Sequence, residues 1–190
     1  MKHEQSNRSH KNQLEEVTLK CLESIKNNNK YIREVKTFAL GVKDEAFNIL
    51  IDTLRSNNFV CLNLDATGSV VKEPTNFHKQ VLYYTLVIEG LRGKTPPVPV
   101  CEFISSEHTI NCLTNWLRTY ATAIKRKTLK TVFKIETDFS WALLQAAKSA
   151  FNNNIGIHEN LDITFEQNQI KSAINKIAVV HLCSAHIIKP

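Results

Sequence analysis

Two aspartates each close an apolar run. Phe59 to Val71, FVCLNLDATGSVV, alternates apolar residues toward Asp65 before Thr67-Gly68 turns the chain. KTVFKIETDFSWALLQAAKSAF carries a second apolar run, which ends on Asp138. A carboxylate at the end of a buried strand is costly unless a positive charge neutralises it. A divalent cation is the usual partner. If the two strands are adjacent and parallel, both carboxylates lie at one carboxyl edge of the sheet, where open α/β sheets place their ligands. Two oxygen ligands there suit Mg²⁺ or Mn²⁺, which keep several waters and take substrate phosphates as further ligands. Such ions activate water and stabilise the leaving oxygen in phosphodiester cleavage. Each aspartate also has a structural reading. Asp65 reads as a turn or cap residue before Thr67-Gly68, and Asp138 as the N-cap of the helix after it. A third carboxylate is missing from the obvious place, since Asp occurs only at 44, 52, 65, 138 and 162. Glu107 reads as a first-turn helix acid, and Asp162 and Glu166 as solvated.

The elements that must position this pair follow from periodicity. Residues 1–12 are polar and read as a disordered tail, followed by a helical extension over 13–57. Within it, one amphipathic helix starts near Leu14, a short one spans about Lys30 to Leu40, and a third covers Asp44 to Arg55. Phe47, Ile49, Leu50, Ile51 and Leu54 line the buried side of that third helix. The core starts at Phe59, with strands expected over 59–65, 70–71, 81–90 and 98–105; Pro99 places the last at an edge. A helix capped by Ser105 or Ser106 runs to about Lys125, with Ile110, Leu113, Trp116, Leu117 and Tyr120 on one face. KRKTLK, 125–130, reads as a basic connection. A strand over 131–137 leads to Asp138, then a helix over 140–151 with Trp141, Leu144, Ala147 and Phe151 inward. Asn152-Asn153-Asn154 ends that helix. Residues 155–168 stay unassigned. A helix over 167–175 and a buried strand over 178–183 close the pattern. Strands, helix, strand, helix, strand read as an α/β fold: a mixed sheet flanked by helices.

Composition narrows the class. One domain of 190 residues with 43% hydrophobic content supports a packed core. A net charge of +6 permits contact with nucleic acid without requiring it. The polar opening MKHEQSNRSHKNQ has no signal-peptide core, and no run reaches the length of a membrane span, so no membrane partner is expected. Five cysteines, two of them inside apolar runs, read as free thiols in a reducing compartment, cytosol or nucleus.

These residues resemble the DDE-type transposases of the Mutator-like group. The family pattern is a strand with the first Asp, a strand ending T-D before a helix of the form xxALxxAxxxxF, then C-x-x-H, then a helix with a catalytic Glu. LNLDATGSVV with Asp65, ETDFSWALLQAAKSAF with Asp138, and CSAH with Cys183 and His186 match in order and spacing. The resemblance covers residues 58–190. It implies a ribonuclease-H-like core, Asp65 and Asp138 as catalytic metal ligands for DNA strand cleavage and transfer, and Mg²⁺ or Mn²⁺ as cofactor. It also implies Cys183 and His186 as a structural or metal-associated pair, with zinc as the ion to consider. DNA as partner, a nuclear location and homo-oligomers follow from the same resemblance. The sequence given stops four residues after His186, before the expected Glu helix. The expectation is therefore a truncated or domesticated descendant that is inactive alone.

Two other readings compete. A non-catalytic remnant would bind DNA or protein, using Lys72, His78 and Lys79 of the 72–79 loop and the run Lys125-Arg126-Lys127-Lys130 for phosphates. Asp-Ala-Thr-Gly-Ser after a strand also resembles the phosphate loop of actin-like sugar and acetate kinases. Those phosphotransferases need a second Asp-x-Gly, and none occurs here.

Overall fold

Alternation of apolar and polar residues builds a seven-stranded sheet with one strongly apolar face. In the computed structural model, residues 32–35, 39–41, 44–56, 59–68, 80–88, 96–170 and 177–183 are described. The elements are β1 (Ile32–Val35), β2 (Ala39–Gly41), α1 (Asp44–Ser56), β3 (Cys61–Gly68), β4 (Leu82–Ile88) and β5 (Val98–Ser105). They continue with α2 (Ile110–Thr128), β6 (Lys134–Thr137), α3 (Trp141–Phe151), α4 (Ile157–Ile170) and β7 (Val179–Leu182). The strand order is β1-β2-β5-β4-β3-β6-β7. β3, β4 and β5 form an antiparallel meander, while β6 and β7 add to β3 in parallel. The α/β class and the mixed sheet flanked by helices are thus as the pattern of elements predicts.

The core lies between one sheet face and the helices. Leu62, Leu64, Tyr84, Leu86, Ile88, Cys101, Phe103 and Ile135 are buried from the strands. Leu50 and Leu54 of α1, Leu113, Trp116, Leu117 and Tyr120 of α2, and Leu143, Ala146, Ala147 and Ala150 of α3 meet them. Trp116 stacks on Phe103 with ring centroids 5.1 Å apart. Its indole N–H donates to the Cys101 sulfur at 3.2 Å. Burial pushes the Cys101 thiol up to about 12, so it stays protonated and acts as a small hydrophobe.

Several elements depart from the sequence reading. The segment near 30–40 contains strands, not a helix: β1 and β2 pair with each other and β2 joins β5, so the extension before the core is not wholly helical. β3 runs on to Gly68, pairing with β4 throughout, so no turn forms at Thr67-Gly68. A Cβ on Gly68 would sit 2.7 Å from the amide nitrogen at the tip of the Gln80 side chain, so a larger residue there would have to displace that tip. β5 is internal, not an edge. Pro99 fits because it sits beside a register irregularity, where Leu86 faces Cys101 and Val87 faces Pro99, and β2 reaches only Glu102 and Phe103. In α1, Ile49 is 46% exposed, outside the buried stripe of Ala46, Leu50, Ile51, Thr53 and Leu54.

The helix starts also shift. Thr109, not Ser105 or Ser106, caps α2, accepting from the Cys112 N–H at 3.2 Å. Glu107 precedes the helix and is no first-turn acid; its N–H donates to the Ser105 hydroxyl at 2.9 Å. α2 extends to Thr128, so Lys125, Arg126 and Lys127 form its last turn, where cations complement the helix dipole. In α3 the buried face is Leu143, Ala146, Ala147, Lys148 and Ala150, while Trp141 is 64% exposed. The small residues let α3 lie close to α2 and the sheet, which fixes a phase one step away from the aromatic. Residues 155–156 lead into α4, which begins well before Gln167.

Two pairings hold the frame. Lys130 Nζ donates to the carbonyls of Leu54 at 2.9 Å and Arg55 at 3.2 Å, capping the C-terminus of α1. Arg55 in turn donates to the Lys127 carbonyl at 3.3 Å, in the last turn of α2. At the other end, the Asn152 amide both donates to and accepts from the Ala178 backbone, each at 2.8 Å. That pair fixes the entry to β7 against the end of α3.

Candidate functional site

The parallel register between β3 and β6 sets the site. Leu64 is the partner of Thr137, so Asp65 and Asp138 follow side by side. Interstrand spacing puts their backbones roughly 5 Å apart. Leu62, Leu64, Ile135 and Thr137 are buried on the core face. Strand alternation sends Asn63, Asp65 and Thr67 of β3 to the opposite face, together with Lys134 and Glu136 of β6. Asp65 is exposed and Asp138 half-buried. The burial argument for Asp65 therefore fails, because water already solvates it. Its placement also differs: it lies three residues inside β3, not at the strand end, and is level with Asp138 because β6 is shorter.

The competing structural roles are narrowed by geometry. Asp65 pairs with Thr85 inside the β3–β4 ladder, so it is not a turn residue. One of its carboxylate oxygens accepts the Ala66 N–H at 2.7 Å. Ser140, not Asp138, caps α3: its hydroxyl accepts the Leu143 N–H at 3.4 Å. The Asp138 carbonyl accepts the Ser140 N–H at 2.6 Å, which turns the chain from β6 into α3. Neither aspartate occupies the turn or N-cap position that the sequence offered as its structural role.

Further groups line up on the same polar face. Thr85 is the partner of both Asp65 and Glu102, which places Glu102 two strands from Asp65 in one row. The Tyr83 hydroxyl donates to Glu102. Burial raises the Glu102 carboxyl above its ordinary value. The Thr85 hydroxyl oxygen is buried and has no hydrogen-bond partner among the described residues. Glu136 pairs in register with Asn63 and His181. Lys134 holds the Glu136 carboxyl below its ordinary value through a 2.6 Å ion pair, and the Cys183 thiol and His181 add to the effect. Glu102 and Glu136 were missed in the sequence because each sits inside a strand as one polar residue of an alternating run. Only the register shows that they share a face with Asp65.

Cys183 follows β7 directly, and its N–H donates to the Thr137 carbonyl at 2.8 Å. It therefore stands next to Asp138 at the same sheet edge. His186 lies outside the described residues, as do Lys72, His78 and Lys79, so the C-x-x-H pair has one described member. No group of three or more His, Cys, Asp or Glu placed to hold a metal ion is found among the described residues. Asp65 and Asp138, set side by side by the strand register, are oxygen donors of the kind Mg²⁺ or Mn²⁺ takes with retained waters. No described helix is long and apolar enough to cross a membrane. No family model matches the chain, and none of the curated proteins compared with it is similar.

Proposed function

We propose that this chain carries the core of a Mutator-like DDE-type transposase with a ribonuclease-H-like fold. In this reading its candidate chemistry is metal-dependent phosphodiester cleavage and strand transfer on DNA. The observation that carries the reading is the placement of Asp65 of β3 beside Asp138, the residue that directly follows β6, since the parallel register between the two strands runs to Leu64 and Thr137. That placement supports the reading because two carboxylates from different strands can share an ion that neither could hold alone. Asp65 and Asp138 would hold Mg²⁺ or Mn²⁺. Bound there, the ion would supply polarisation of a phosphodiester and a more acidic water. The chain's own part is positional. β3 and β6 fix the backbone spacing of the two aspartates, and Ser140 turns the chain into α3 immediately after Asp138.

A phosphate-bearing substrate meets four acidic side chains on this face: Asp65, Glu102, Glu136 and Asp138. Lys134 pairs with Glu136 at 2.6 Å. A DNA strand would therefore approach with the metal present and be repelled without it. Duplex affinity of the purified chain, measured by fluorescence anisotropy with and without Mg²⁺, tests this. Mg²⁺ should tighten binding in the wild type and leave Asp65→Asn and Asp138→Asn unchanged. Equal enhancement in all three proteins would remove the carboxylate pair from the reading.

A further inference from the structure

A second polar cleft lies at the opposite end of β6 from the two aspartates. It has a volume of about 330 Å³ and is walled by α2, the segment 129–132 and the end of α3. Arg118, Thr122, Lys125 and Leu129 recur at helical spacing along one side of α2 and its cap. Val132 and Ala150 are buried beneath, and Phe151 forms part of the wall. The volume falls at the small end of the range for ligand pockets, where one nucleotide-sized molecule fits.

The charge of this cleft is one-sided. Arg118, Lys125 and Lys130 line it, and none of its lining residues is acidic. Arg118 donates to the Asn154 side-chain carbonyl at 2.9 Å, so a neutral acceptor orients the guanidinium without cancelling its charge. Asn154 itself is held in the left-handed region at φ 60°. Neither Arg118 nor Lys125 joins an ion pair among the described residues. Seven residues along a helix return to the same face, with the two cations ~10.5 Å apart along the axis. An oriented guanidinium and a second cation on the same face, above an apolar floor, match a ligand with an anionic group at one end and an apolar body at the other.

We propose that this cleft binds a nucleotide, with Arg118 and Lys125 holding its phosphate and the Phe151 side of the cleft receiving its base. The nucleotide is either free or one unit of a strand; the recognition chemistry is the same. The inference goes beyond the two-carboxylate reading and does not depend on it, since the cleft needs no metal. Binding is therefore measured in EDTA, which silences the carboxylate edge.

The experiment titrates the full chain with inorganic phosphate, with dAMP and with a fluorescein-labelled DNA duplex. Arg118→Gln/Lys125→Gln is compared with Lys127→Gln, an exposed lysine of the same helix end that does not line the cleft. All three variants are checked for wild-type thermal unfolding, and Arg118→Lys serves as the conservative replacement. The double variant should weaken dAMP binding about tenfold or more, while Lys127→Gln leaves it unchanged. If a strand is the natural source, the duplex binds more tightly than dAMP, and the salt slope becomes shallower by about 1.8 in the double variant. If a free nucleotide is the source, dAMP binds at least as tightly as the duplex. Absence of binding by dAMP and duplex overturns the proposal, as does binding that responds equally to Lys127→Gln and the double variant.

Discussion

Replacing Asn152 by alanine should cost far more than a surface polar residue normally does. Asn152 is 1% exposed, and its amide makes two hydrogen bonds of 2.8 Å to the backbone of Ala178, which is itself fully buried. Alanine removes both partners and leaves a buried N–H and a buried C=O unsatisfied. Each orphaned group costs about 1–3 kcal/mol, less where water enters the vacated volume. A loss of ~3 kcal/mol is expected, a large share of the 5–15 kcal/mol typical of a folded domain. Urea unfolding followed by circular dichroism measures it, with the slope unchanged if the folded state stays intact. Asn152→Asp separates size from bonding: it keeps one acceptor, loses the donor, and sets a carboxylate against the Ala178 carbonyl. It should be at least as destabilising as alanine at neutral pH. The Ala178 amide proton should also exchange quickly in both variants and slowly in the wild type. A loss under about 0.5 kcal/mol in Asn152→Ala, within the range of ordinary surface changes, would refute the reasoning.

Two further perturbations follow from the geometry. Leu129 caps α2 at φ 55° and is 88% exposed, so Leu129→Gly relieves a left-handed strain without uncovering core and should stabilise by about 1 kcal/mol; a lower melting temperature would contradict this. Burial raises Glu102 above 4.5, so the folded state favours its neutral form. Below 4.5 the group is protonated folded or unfolded and carries no penalty. As pH rises through the raised folded value, wild-type stability falls relative to Glu102→Gln, and the gap then levels off. A gap that does not change with pH would show that burial does not perturb this carboxyl.

Much of the frame was readable because it rests on periodicity. Asp44 to Arg55 announced a helix through its acidic start, and α1 differs from it by one residue. Leu113, Trp116, Leu117 and Tyr120 marked the buried stripe of α2 correctly, while Ile110, read onto the same face, is exposed at the start of the helix. Errors arose where long-range contacts outweighed local pattern. The segment containing β1 and β2 has little helical or strand signal of its own, and pairing with β5 decides its form. Thr67-Gly68 looks like a turn locally, yet β4 offers a partner as far as Leu82 and keeps the chain extended. Trp141 drew the buried face of α3 toward itself, although close helix packing prefers Ala146, Ala147 and Ala150. Of the candidate site, the two aspartates were visible from the ends of apolar runs, and Cys183 from the C-x-x-H of the family resemblance. Glu102, Glu136 and the orphaned Thr85 hydroxyl were not, because only strand register brings them to the same face. Lys130 appeared as one cation of a linear run, but its ammonium group caps α1 through the Leu54 and Arg55 carbonyls.

The most direct test of the central claim is a Mn²⁺ titration of the purified chain, counted by electron paramagnetic resonance, beside Asp65→Asn and Asp138→Asn. The account predicts saturable Mn²⁺ binding in the wild type, most of it lost in either variant, because one site draws a ligand from each of two adjacent strands. Binding that survives both substitutions, or no binding in the wild type, would contradict it.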